Sequence, residues 1–192
     1  MGCDIHLFTE FKRDGAWHSS DIWTTDAEEG NHVPFRFRCW DERNYNVYAF
    51  LAGVRNHTWG ETIPVLTPPK GLPEDASAEV KEAAANGSRH HHSWLTCNEL
   101  KEGYLKVKDT SISFDAYIST YDPQIAAWLA LPELTRGAPP CYSARGGDTR
   151  VAWSQPLSEL IGPSIVRIIN FLQYLSWDEH ADDTRIVFWF DN

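Results

Sequence analysis

Residues 184–192 read TRIVFWFDN, and the apolar side chains from Ile186 to Phe190 follow one another without a polar break. A strand with one wet face alternates polar and apolar residues. An unbroken run of β-branched and aromatic residues predicts instead a central strand covered on both faces. The opposite end of the chain supplies a partner. In GCDIHLFTE, residues 2–10, Cys3, Ile5 and Leu7 share one face, while Asp4, His6 and Phe8 share the other. That period of two predicts a strand. Asp14-Gly15 then marks a hairpin turn, with AWHSSDIW, residues 16–23, as the returning strand. If the last strand runs antiparallel beside the first, Asp191 lies close to Asp4 and His6.

Between these ends the pattern changes. TTDAEEGNHVP, residues 24–34, reads as a polar loop. In DERNYNVYAFLAGV, residues 41–54, Tyr45, Tyr48, Leu51 and Ala52 recur at helical spacing, and Asp41 is the expected N-cap. Residues 56–76 are broken by Pro64, Pro68, Pro69, Gly71 and Pro73. Ser77 is expected to cap a short helix, AEVKEAAA, that stops at Asn86-Gly87. Thr96 with Glu99 is a capping box, which puts His90, His91, His92 and Trp94 in a loop leading into a helix N-terminus. Residues 104–118 are strand-like or mixed, and Asp122-Pro123 opens the helix PQIAAWLAL. After a Pro- and Gly-rich loop at 132–148 and a short strand at 149–154, seven apolar residues from Leu157 to Leu175 mark one face of a long helix containing Pro163. The expected fold is α+β: a single domain over residues 1–192, with a mixed sheet built from the N- and C-terminal strands and flanked by helices and long loops.

Composition narrows the function classes. Lys and Arg number 17 against 27 Asp and Glu, a formal net charge of -10, and no basic stripe offsets it. Such a chain repels DNA, RNA and anionic membranes, since nucleic-acid affinity depends on neutralising phosphates. A small phosphorylated ligand in a local basic pocket stays open. No run of about 18 apolar residues is present to span a membrane. The start MGCDIH has no charged and apolar leader, and His6 stands where a myristoylation motif needs Ser or Thr. Cys3, Cys39, Cys97 and Cys141 are scattered, with neither CxxC nor zinc-ribbon spacing, so reduced thiols in a cytoplasm are expected. Core packing accounts for most of the aromatic residues, but nine Trp is unusually many, so one or two are expected at a pocket.

The pieces MGCDIHLF, RNYNVYAFLAGVRN, PPKGLPEDASAEV, HSWLTCNEL and RIVFWFDN together resemble a family of uncharacterised proteins encoded in bacteriophage and bacterial genomes. The resemblance runs from the first residue to the last. It implies a setting, an accessory protein in the bacterial cytoplasm, and carries no catalytic assignment. Relatives read HSxSW where this chain has His90-His91-His92-Ser93-Trp94, which favours His90 and Ser93 as the shared features.

Four constellations carry candidate chemistry. Asp4 and His6 lie on one side of a strand with Cα atoms about 7 Å apart, and can share a cation or a polar ligand, or serve as a turn cap and a core histidine. His90 and His92 in an extended loop can complete a divalent site, such as zinc, with Asp4 and His6; the other reading is a solvated histidine cluster. Arg43-Asn44 and Arg55-Asn56-His57 sit about 18 Å apart along a helix, so each arginine would grip an anion separately or hold helix to loop as a salt bridge. Asp191, straight after the buried run, is placed for a pocket at the sheet end. No P-loop, GxGxxG, HExxH or GxSxG occurs, and ARGGD, residues 144–148, is too short for a phosphate loop.

Three functions follow. The first is a binder that sequesters a small, nucleotide-like phosphorylated ligand, countering bacterial immune signalling, with Asp4, His6, Arg43, Asn44, Arg55, His90, Ser93, Trp94 and Asp191 as ligand-binding candidates. The second is a metal-dependent hydrolase of the phosphodiesterase type, its metal held by Asp4, His6, His90 and His92, or with Asp191 in place of His92. The third is a protein-binding inhibitor of a host factor. Assembly into a homo-oligomer is left open.

Overall fold

A computed structural model describes residues 2–27, 30–56, 62–85, 89–132, 136–142, 146–176 and 181–191. The unbroken apolar run at the end of the chain is strand β8, Thr184–Asp191, and its side chains are buried from Thr184 through Phe190. It pairs antiparallel with β1, Asp4–Arg13, in a register that sets Asp4 opposite Asp191, His6 opposite Trp189 and Phe8 opposite Val187. On the far side of β1 lies β2, Ala16–Ser19, and on the far side of β8 lies β5, His90–Thr96, giving the order β2-β1-β8-β5. The class is α+β, with the main sheet built from the two ends of the chain. All three ladders of that sheet are antiparallel, which refines the expected mixed sheet. The turn joining β1 to β2 has Asp14 at φ 51° and Gly15 at φ 81°, the left-handed pair that a two-residue hairpin needs.

Both faces of β8 are covered, which is why its sequence does not alternate. On one face Cys3, Ile5, Leu7, Leu95, Ile186, Phe188 and Phe190 join the main core with α1 (Tyr45–Ala52), α3 (Cys97–Val107) and α5 (Leu157–Ser176). On the other, Phe8, Val187 and Trp189 pack with Val33, Ala76, Val80, Trp23 and Trp94 beneath α2, Ala78–Ala84. A separate ribbon of β6 (Ser111–Ile118) and β7 (Thr149–Pro156) adjoins α4, Pro123–Leu129. Among the described residues no helix is long and apolar enough to cross a membrane. The four cysteines form no disulfide, and Cys141 is exposed.

Three local expectations change. The segment 24–34 is not all loop: β3, Thr24–Asp26, and β4, Gly30–His32, form a small ribbon. Helix α1 starts after Asn44 rather than at Asp41, because the Asn44 side chain accepts from the Asn46 and Val47 N–H groups and takes the cap. The histidine triplet is strand rather than loop. The capping box at Thr96 and Glu99 holds, but the residues before it pair with β8. The stop expected at Asn86-Gly87 lies outside the described residues, as do His57, Ala144, Arg145 and Asn192.

Candidate functional site

The second face of the sheet carries a cross-strand ladder of four pairs: Asp4 with Asp191, His6 with Trp189, Phe8 with Val187, and Glu10 with Arg185. Two carboxylates directly opposite one another repel. The structure separates them by giving each a different cationic or donor partner. Asp4 turns to Arg43, whose Nε and Nη2 donate to the carboxylate at 2.8 and 2.7 Å. Asp191 turns diagonally to His6, with Nε2 2.8 Å from Oδ2. An ionised carboxylate only accepts, so in the neutral imidazole the proton sits on Nε2 and Nδ1 is the acceptor.

The His6 ring lies against Trp189, ring centroids 6.0 Å apart at 20°. Trp189 is fully buried and serves as a floor. Arg89 stands over the same indole at 5.3 Å, and His92 packs beside it at 5.3 Å. A cavity of ≈ 370 Å³ takes part of its wall from His6 and Arg89 of this group, together with Phe8, Trp23, Asn31 and Arg38. That volume suits a small ligand. Trp23 stacks flat on Phe8, centroids 5.1 Å apart and planes 7° apart, and so presents an indole to the cavity.

The electrostatics of the cavity favour an anion. Arg38 is held by its Nε donating to the Val33 carbonyl. Arg89 Nη1 is buried and has no hydrogen-bond partner among the described residues, an arrangement that costs free energy unless something accepts from it. Burial lowers the Arg89 pKa, with the Asp191 charge opposing that shift. Burial also lowers the pKa of His92, and the charges of Arg89 and His90 add to the effect.

Of the sequence candidates, His6 lines this cavity and the others lie beside it or elsewhere. His6 and Asp191 meet as expected, and His92 joins them through Trp189. Asp4 does not join that pair, because Arg43 holds it in a half-exposed ion pair. Arg43, just ahead of the α1 cap, is therefore engaged in a salt bridge to β1 rather than to the loop. Asn44 caps α1 and donates from Nδ2 to the Leu160 carbonyl. Arg55 lies over the Tyr45 ring, with Nη2 reaching the Gly2 carbonyl at 3.5 Å. Ser93 is buried, and its hydroxyl accepts from the Lys70 N–H. Trp94 belongs to the far end of the face, where Lys70 sits 4.1 Å above its ring.

A β-bulge parts the histidines. His90 opposes Phe190 and Ser93 opposes Phe188, so His91 and His92 together oppose Trp189, and His91 has φ 54°. His90 consequently stacks on Phe190, a main-core residue, while His92 leans on Trp189 on the opposite face. Asp4, His6, His90 and His92 are thus not gathered as a metal set. Among the described residues no group of three or more His, Cys, Asp or Glu is arranged to hold a metal ion.

Sequence reasoning missed Arg89, Trp189, Trp23, Asn31, His32 and Arg38. Arg89 sits next to the histidine triplet and was within reach of a closer reading. The other five carry no local signal, because they come together only through long-range pairing. Also missed was the fully buried Glu10–Arg185 pair, with Nε 2.7 Å from Oε2 and the guanidinium 3.9 Å from the Trp17 ring and 5.6 Å from the Trp94 ring. Comparison with known proteins does not add to these observations, since no family model, curated protein or solved structure matches the chain.

Proposed function

We propose that the cavity lined by His6, Arg38 and Arg89 binds a small phosphorylated, nucleotide-like ligand. The observation that carries this reading is Arg89, whose buried Nη1 has no hydrogen-bond partner among the described residues, in the wall of a cavity that Arg38 and the Trp23 indole also line. A guanidinium in that state gains most from a phosphate oxygen, and an indole supplies a stacking surface for a base. The net charge of -10 favours a small ligand over a polyanion. Together with the resemblance to phage and bacterial proteins, this supports a cytoplasmic accessory role. In that role the protein withdraws a nucleotide signal, and one of bacterial immunity fits the setting.

The test is calorimetric titration with adenosine monophosphate, 3′,5′-cyclic adenosine monophosphate and inorganic phosphate. At least one nucleotide should bind, and Arg89→Ala should weaken it roughly 10- to 100-fold, the worth of one charged hydrogen bond. Identical affinity in the variant, or no heat with any probe at millimolar concentration, refutes the reading. Hydrolysis is the second reading, and the specific observation that favours it is the His6–Asp191 pair.

A further inference from the structure

The cavity contains more than a binder needs. A pocket that only holds phosphate is served by its arginines, yet this one also presents an imidazole held from two sides. Asp191 fixes the His6 Nε2 proton at 2.8 Å, and Trp189 fixes the ring plane. The remaining nitrogen, Nδ1, has no partner among the described residues, and the side chain is 29% exposed, so it remains reachable. An acidic partner on one ring nitrogen and a bare lone pair on the other is the arrangement of a general base.

Resting on the binding reading above, we propose that His6 is the general base, and Asp191 its positioning residue, for cleavage of a ribonucleotide-type phosphodiester with a free hydroxyl next to the phosphate. The neighbouring hydroxyl makes the attack intramolecular, which suits a site with one base and cationic groups for the phosphate. His6 Nδ1 takes the hydroxyl proton, and that oxygen bonds to phosphorus. The bond from phosphorus to the leaving oxygen breaks, and the electron pair departs with that oxygen, which takes a proton from water. The product is a cyclic phosphate, and His6 returns its proton to solvent. Arg89 and Arg38 face the charge that builds on the phosphoryl oxygens.

The probes are uridine 3′-(4-nitrophenyl phosphate), which carries the neighbouring hydroxyl, and its 2′-deoxy counterpart, which lacks it. The full chain should release 4-nitrophenolate from the first and bind the second without turnover. His6→Ala and His6→Gln, each checked by thermal unfolding, should lose on the order of 10²–10⁴-fold in kcat. Asp191→Asn should lower kcat while leaving KM within about twofold, and Asp191→Glu should restore part of the rate. Equal turnover of the two probes, full activity in both His6 variants, or binding of both probes without release overturns the inference and leaves the binding reading intact. No binding of either probe removes both.

Discussion

Replacing Glu10 by leucine should cost this protein a large share of its stability, and the structure sets the size. Both Glu10 and Arg185 are essentially inaccessible, at 0% and 2% side-chain exposure. Glu10 accepts from Arg185 Nε through one oxygen and from the Ser77 N–H through the other, each at 2.7 Å. Without the carboxylate, the guanidinium stays buried against Trp17 at 3.9 Å and the Ser77 N–H loses its acceptor. Breaking a buried pair from one side typically costs 3–5 kcal/mol. Arg185 keeps a second carboxylate, Asp75 at 2.9 Å, but that group is 66% exposed and screened by solvent. The expected loss is therefore near the lower end, about 3 kcal/mol, which for a chain of this length lowers Tm by roughly 6–12 °C. Urea unfolding followed by tryptophan fluorescence reads it directly. The double variant Glu10→Leu/Arg185→Met should recover much of the loss, since no unpaired charge then remains buried. A single-variant loss below about 1 kcal/mol, or a double variant as poor as the sum of the two singles, would refute the reasoning.

Burial pushes the Asp21 carboxyl up to about 6 from an ordinary 3.8, against the hydrogen bonds that Thr9 and Ser19 donate to it. The native state therefore holds that proton more tightly than the unfolded chain, so the stability this group contributes is full below about pH 4 and is lost as pH rises through 6. The urea midpoint of Asp21→Asn should gain on that of the wild type between pH 4 and pH 6.5, and a difference that stays constant over this range defeats the assignment. Gly147 is a position of close backbone approach, since an added Cβ would meet the Ile118 carbonyl oxygen at 2.4 Å. Gly147→Ala should destabilise the ribbon end by about 1–3 kcal/mol, and an unchanged unfolding midpoint would show that the backbone gives way.

That glycine illustrates how far the sequence could be read. The ARGGD stretch gives no local sign of why Gly147 is glycine, because the close approach is to a carbonyl 29 positions earlier in the chain. Helix α1 shows a smaller miss of the same kind. Asp41 and Asn44 are both capable caps, and the choice fell to Asn44, whose amide also ties down the Leu160 carbonyl from another helix. The histidine triplet shows a larger one. Three identical residues give no hint that a bulge will send two of them to opposite faces of the sheet.

What the sequence determined by itself is what depends on neighbouring residues. The run Ile186–Phe190 fixed a strand with both faces covered, the alternation from Cys3 to Phe8 fixed its partner, and Asp14-Gly15 fixed the hairpin between β1 and β2. Thr96 with Glu99 and Asp122-Pro123 fixed two helix starts, since caps act within a single turn. Only the tertiary structure decided which polar groups meet. His6 and Asp191 are 185 positions apart, and Glu10 and Arg185 are 175 apart. Their contacts follow from a register and a bulge that a shift of one residue would undo, because such a shift turns every side chain of a strand to the opposite face.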